Sequence, residues 1–429
     1  MKTKMYFFMA AVLLFSFTGC SNDDDDDPNP PEPLVTGDAT VQIKLSDATL
    51  VTYAASDEET PTNEESVLAT KVEVFVFDEN NLFEYHKQLG LNGSNVTDKF
   101  QISTGPKFFY VFSNMTGNIP TPGTNTTRTQ FETIIREATI SPSNTSISND
   151  NQFFIGTLWA DTVHVHGTGT PATPEQKEIN VGRLVAKINL VSVKEDATGN
   201  LKGKFMEPTY RVRSIPSKFY LVGQHDGGLY NNPPQVGVQV KSAVHSIADT
   251  VSSNYTSYDF PASSNVNASF YTIENTSEPG ADGNVYYGST THIQLRSKYE
   301  PHNDEIHNAD GSQGGQIPAS GTFYTGMVNG SLLIFHEDPS GLTGISDVKV
   351  YTDGLNYYNL PMRDLSESTI SLQTSIIRNH YYELSVVGIS KLGENTDYID
   401  PSTPIVDNKD IELKLNVLPW SKVAQQIDI

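Results

Sequence analysis

Strand-period alternation recurs along this chain, and helical periodicity almost never does. Residues 39–46 set Val41, Ile43 and Leu45 on one face and Thr40, Gln42 and Lys44 on the other, the pattern of a half-buried strand. Residues 71–78 are denser, with Val72, Val74, Phe75, Val76 and Phe77, as expected of a central strand. Segments 107–114, 152–159 and 182–193 read as further strands. Only 129–138 reads as a helix, with Phe131, Ile134 and Ile135 at helical spacing and Thr129 as its N-cap. Beyond a polar, Gly-containing stretch at 194–204, strands are expected at 210–222, 322–328, 331–335, 348–352 and 379–389. Residues 258–318 are rich in Asn, Ser, Gly and Asp and read as long loops, with at most short strands such as 284–288. Residues 410–417 alternate again, Pro419 interrupts, and 420–429 resume with Val423, Ile427 and Ile429 on one face. The expected fold class is all-β: two tandem β-sandwich domains, residues 38–196 and 197–429.

The N-terminus is of another kind. Lys2 and Lys4 precede an apolar stretch at 5–17, and Phe17-Thr18-Gly19 leads to Cys20, the one cysteine among 429 residues. A short positive region, a short apolar region and small residues at the cut make 1–19 a secretory signal, too short for a membrane span. Gly19-Cys20 marks the lipoprotein variant, in which the thiol of Cys20 carries lipid and becomes the first residue. A diacyl anchor holds a chain at a membrane without crossing it, at about 0.8 kcal/mol per buried methylene. With Cys20 so used, no disulfide, thiolate nucleophile or cysteine metal site remains within one chain. Residues 20–37, with five aspartates at 23–27 and then a Pro-rich tract, read as a disordered tether.

The net charge is −23, and removal of Lys2 and Lys4 with the signal leaves −23 − 2 = −25. Such a chain repels nucleic acid and anionic head groups, so neither is an expected partner. No cofactor is expected. His164-Val165-His166 puts two imidazoles on one strand face, but no third ligand is placed nearby by sequence, and the pair reads as exposed strand histidines. His302 and His307 flank Asp304-Glu305, and Asn308-Ala309-Asp310-Gly311 resembles part of a calcium loop without its closing bidentate Glu. There is no Gly-x-Ser-x-Gly, P-loop or His-Glu-x-x-His, so an enzyme is not expected. Trp159 and Trp420 read as core or plug residues rather than sugar platforms.

Six dispersed features resemble the type V fimbrial subunits of Bacteroidales, the FimA-type and Mfa-type fimbrillins. They are the lipobox, tether and single strand at the N-terminus; Lys71-Val72-Glu73-Val74-Phe75-Val76-Phe77-Asp78; Gly105-Pro106-Lys107-Phe108-Phe109-Tyr110-Val111-Phe112-Ser113-Asn114; Arg183-Leu184-Val185-Ala186-Lys187-Ile188; Ile377-Arg378-Asn379-His380-Tyr381-Tyr382-Glu383-Leu384; and the ending Val417-Leu418-Pro419-Trp420 through Ile429, close to Mfa-type shaft subunits. Acidic residues after a lipidated Cys also resemble the surface-export signal of Bacteroidetes lipoproteins. Residues 226–321 match nothing in the family pattern.

The resemblance implies transthyretin-like sandwiches, an outer-membrane lipoprotein at the cell surface, and polymerisation into a pilus that supports adhesion. In that family a protease cuts the loop after the first strand, here 47–70. The displaced strand, carrying Val41, Ile43 and Leu45, then leaves a groove. The C-terminal strand of another subunit, here with Trp420, Val423, Ile427 and Ile429, fills it. The implied partners are other fimbrial subunits. One departure stands out: 47–70 contains no Arg and no Lys, whereas family shaft subunits usually have an Arg after the first strand. An uncleaved anchor or accessory subunit, and a glycan-binding surface lipoprotein on the same anchor, remain alternatives.

Overall fold

The computed structural model describes residues 37–47, 70–115, 119–137, 152–158, 162–216, 218–223, 255–262, 264–277, 279–365, 369–406 and 411–419, with Ala160 and three two-residue pieces between 140 and 149. Its architecture is all-β, half strand and one-twentieth helix, in several sheets of β-sandwich type.

The first sheet uses β1 (Ala39–Asp47), β2 (Lys71–Phe77), β3 (Phe83–Gly90), β4 (Phe100–Ile102) and β5 (Gly105–Ser113). After α1 (Arg128–Glu132) and β6 (Ile135–Glu137), it continues with β7 (Ile155–Thr157), β8 (Thr162–Val165) and β9 (Glu175–Arg183). Its order is β3-β2-β5-β7-β9-β1-β4, with β8 also on β5. Tyr85 of β3 stacks on Phe100 of β4 with ring centroids 4.7 Å apart, so the two ends of the sheet approach each other across a core. The pleat decides what enters that core. Val72, Val74 and Val76 face it, while Phe75 and Phe77 face the other way and pack on Phe131. A strand buried on both sides must be apolar throughout, and 71–77 nearly is.

The helix expected at 129–138 is shorter and starts earlier. Thr127, not Thr129, is the N-cap, in a reciprocal capping box with Gln130. Phe131 is its buried residue. Residues 135–137 leave it as β6, antiparallel to residues 218–220. Ile134 and Ile135 satisfy a helical spacing and a strand equally well, and pairing with a neighbour decides between them.

The second group of sheets begins at once after β9. Leu184 separates β9 from β10 (Val185–Val193), which pairs with later strands. Residues 182–193, expected as one strand closing the first domain, therefore change sheets at Leu184. Next come β11 (Lys204–Arg213), β12 (Lys218–Tyr220), β13 (Ser269–Ile273) and β14 (His292–Glu300). Then follow β15 (Phe323–Val328), β16 (Ser331–Phe335), β17 (Ile345–Tyr351), β18 (Leu355–Pro361), α2 (Ile370–Thr374), β19 (His380–Ile389) and β20 (Ile411–Pro419). They form a sheet β13-β10-β19-β20, a sheet β11-β14-β18, and a sheet in which β15 lies between β16 and β17. Strands β13 and β14 correct the reading of 258–318 as loops. At the suggested short strand 284–288, only an isolated bridge from Tyr286 to Pro404 forms. One apolar cluster joins Phe75, Phe77, Tyr110 and Phe112 to Ile188, Leu190, Leu295 and Leu384, so the faces of the first sheet and of the later sheets share a core.

Candidate functional site

Strand β1 is an interior strand. It runs parallel to β9, with Val41 opposite Glu175 and Leu45 opposite Ile179, and antiparallel to β4, with Ala39 opposite Ile102. Val41 and Ile43 are 0% exposed and Leu45 4%, in the core of the first sheet. Each such side chain contributes about 1.5–3 kcal/mol of burial. Pairing with β4 ends at Val41, and a turn takes over. The Ile43 N–H donates to Thr97 Oγ1 at 3.0 Å, the Thr97 N–H to the Ile43 carbonyl at 2.9 Å, and the Leu45 N–H to the Asn95 carbonyl at 2.9 Å. On the outer face the partners are neutral: Gln42 Nε2 donates to Gln176 Oε1 at 3.2 Å, and Ser46 Oγ to Asn180 Oδ1 at 2.8 Å.

The entry of β1 is latched. The Asp38 carboxylate accepts from the Thr104 N–H at 2.7 Å and from its hydroxyl at 3.1 Å. These bonds, the N–H first, hold the Asp38 pKa below its ordinary 3.8, and the Lys107 charge adds to the effect. Thr104 is itself fixed from behind. Glu84 accepts from the Ser103 N–H at 2.6 Å and hydroxyl at 2.7 Å, and buried Lys107 donates to Glu84 at 2.6 Å. Gly37 is required here, because a Cβ would lie 2.4 Å from the Ile102 backbone nitrogen. Thr97, Glu84 and Asp38 were missed by the sequence reading. The one available signal was Lys107, a cation set in an otherwise apolar strand.

The second assembly gathers the later motifs. β10 and β19 pair in parallel, with Lys187 opposite Tyr381 and Ile188 opposite Tyr382, and β20 pairs antiparallel to β19, with Val417 opposite Tyr382 and Pro419 opposite His380. Pro419 thus takes part in the β19–β20 ladder, opposite His380. The Arg183 N–H donates to Asn379 Oδ1 at 3.0 Å, and the Asn379 N–H to the Val185 carbonyl at 2.7 Å. Asn379 holds φ 60°, a left-handed turn that Asn tolerates. Gly182 makes room for it, since a Cβ there would come 2.9 Å from the Asn379 side chain. Arg378, 2% exposed, is bidentate on fully buried Glu274, and it also donates to the carbonyls of Leu221 at 3.2 Å and Tyr220 at 2.7 Å. Burial pushes the Glu274 carboxyl above its usual range, and the Arg378 charge works against that shift.

Cys20, the loop residues 48–69, Trp159, Trp420, Val423, Ile427 and Ile429 lie outside the described residues. Among the described residues no group of three or more His, Cys, Asp or Glu is placed to hold a metal ion. No described helix is long and apolar enough to cross a membrane.

Residues 349–426, which include β18, β19 and β20, match the family model for the major fimbrial subunit protein type IV, Fimbrillin, C-terminal. No curated protein sequence matches the chain. Among solved structures, a fimbrilin (FimA) from Porphyromonas gingivalis W83 is similar at 17% identity, covering 91% of this chain and 99% of that one, with a TM-score of 0.50. A candidate cell adhesion protein from Parabacteroides distasonis ATCC 8503 is similar at 15% identity, covering 89% and 99%, also with a TM-score of 0.50. At these identities the likeness establishes the fold. The resemblance to Bacteroidales fimbrial subunits drawn from the dispersed motifs stands on the family match and this shared fold. Fimbrillins are structural subunits rather than enzymes.

Proposed function

We propose that this chain is a structural subunit of a surface fimbrium that supports adhesion. It is made as an outer-membrane lipoprotein precursor on Cys20 and polymerises by proteolysis-assisted donor-strand exchange with other fimbrial subunits. The observation that carries the reading is the seat of β1. Removing an interior strand with three core side chains strips partners from both β9 and β4 and opens an apolar trough. An incoming strand satisfies both needs at once. Beyond β20 in the sequence, Val423, Ile427 and Ile429 supply the alternating apolar face such a strand needs, and Trp420 adds a large apolar side chain ahead of it. The two-domain division belongs to the same proposal: a first sandwich that accepts and a second that donates.

Fibres counted by electron microscopy test this. Val423→Asp puts an unpaired charge into the acceptor groove, which costs far more than a lost methyl contact, and deletion of 420–429 removes the donor. Both are expected to abolish fibres while leaving a folded monomer, whereas normal fibres from Val423→Asp refute the exchange. Cys20→Ser is expected to lose palmitate labelling and surface display. A second reading, an uncleaved anchor subunit, draws on the absence of Arg and Lys from 47–70. It predicts that residues 39–46 stay covalently joined to the chain in assembled fibres.

A further inference from the structure

Independently of the fimbrial reading, we propose that His164 and His166 form a two-point chelate for a divalent transition metal of the zinc, nickel or copper(II) class. Alternate residues on a strand share a face, and here the two imidazoles lie face to face, centroids 4.6 Å apart and 21° from parallel. Both side chains are exposed, and neither ring nitrogen has a hydrogen-bond partner among the described residues. The other described histidines are occupied: His86 with Glu73, His292 with the Thr290 carbonyl, His302 with the Asp304 N–H, His307 with the Glu305 carbonyl, His336 with Asn308 and His380 with the Arg378 carbonyl.

The backbone beneath the pair is fixed. Val165, between the two histidines, is fully buried in the first core. β8 is hydrogen-bonded to β5, with His164 opposite Pro106. From β9, the Lys177 ammonium donates to the His164 carbonyl, and the Glu175 carboxylate accepts from the His166 N–H at 3.1 Å. Two imidazoles on a rigid strand need only side-chain rotation to bring one nitrogen of each to about 2 Å from a shared ion, with water completing the shell. Imidazole suits zinc, copper and nickel, while magnesium and calcium prefer oxygen ligands. Glu175 and Lys177 of β9 are paired to each other beside the site, so Lys177 offsets the attraction that Glu175 offers a cation.

Calorimetric titration of the whole mature chain with zinc and with nickel tests the site, circular dichroism confirming that each variant is folded. The expected result is one strong equivalent. His164→Ala and His166→Ala each weaken it by at least the roughly tenfold that loss of even an outer-shell partner costs. His302→Ala leaves it unchanged, and Lys177→Met tightens it. The proposal is overturned if the wild-type chain takes up no metal, or if the double variant His164→Ala/His166→Ala takes up as much as the wild type.

Discussion

β1 and β19 occupy equivalent places in their sheets. Each is an interior strand with one parallel neighbour, β9 or β10, and one antiparallel neighbour, β4 or β20. They are held by different chemistry. β1 contributes apolar side chains to a core and neutral hydrogen bonds on its outer face. β19 is entered through Arg378 and Asn379, which tie it to Glu274, to the carbonyls of Tyr220 and Leu221, and to the Arg183 N–H. Apolar burial is non-directional, so any strand of similar volume and period can replace β1. A bidentate buried pair is directional and accepts no substitute. The same local topology thus holds one strand by non-directional contacts, as the proposed exchange of β1 requires, and the other by directional ones.

The largest effect expected from this contrast is at the buried pair. Arg378→Met strips the partner from a carboxyl that burial already pushes toward protonation, and such a loss typically costs about 3–5 kcal/mol. Denaturant unfolding measures it. The double variant Arg378→Met/Glu274→Leu should recover a large part, because both polar groups are then gone. If Arg378→Met alone is neutral, β19 is not held in the way described.

Ile43→Ala comes next. The side chain is 0% exposed, and truncation should destabilise the monomer by about 2–5 kcal/mol. If β1 is displaced on assembly, preformed fibres of this variant should melt with wild-type fibres. Fibres weakened as much as the monomer would show that β1 stays in place and erase the contrast. Thr97→Val is smaller. It leaves the Ile43 N–H without its acceptor, a loss of about 1–3 kcal/mol in the monomer.

The two regions were not equally legible in sequence. β1 was readable because positions 39, 41, 43 and 45 are all apolar and 40, 42, 44 and 46 all polar, so period alone showed which face is buried. β14 was not read as a strand. Its buried positions include His292, Gln294 and Ser297, whose partners are the nearby Thr290 carbonyl, the distant Asn359 side chain and the distant Met206 carbonyl, none of which a hydrophobic period reveals. The break at Leu184 was hidden for a related reason. Arg183 through Leu190 are all buried, so the buried run continues while the pairing partners change. The motifs around Arg183 and Arg378 stood out in the sequence, but their meeting did not. They meet through Asn379, while Arg378 beside it is anchored on Glu274, a residue in a region that read as loop.

The smallest effect tests the latch at the start of β1. A carboxyl whose folded pKa is lowered contributes stability above its unfolded value, and that contribution fades as pH falls through the folded one. For Asp38 the fall therefore begins below the ordinary value of 3.8, and its cause is loss of the bonds from Thr104. Asp38 is exposed, so solvent screens the effect and the monomer should not unfold with it. What should change is local: protection of the Thr104 amide, its exchange relative to the intrinsic rate at the same pH, falls in acid, and proteolysis between residues 37 and 47 becomes easier. Asp38→Asn should show the lower protection already at neutral pH and lose the acid step. Glu274 and Arg378 provide the control, since Glu274 is shifted in the opposite direction and reached only through the core. If protection of the Thr104 amide in the wild-type chain is indifferent to acid, the start of β1 is held by the Gly37 approach and by burial alone. The entry to β1 would then carry no charged restraint.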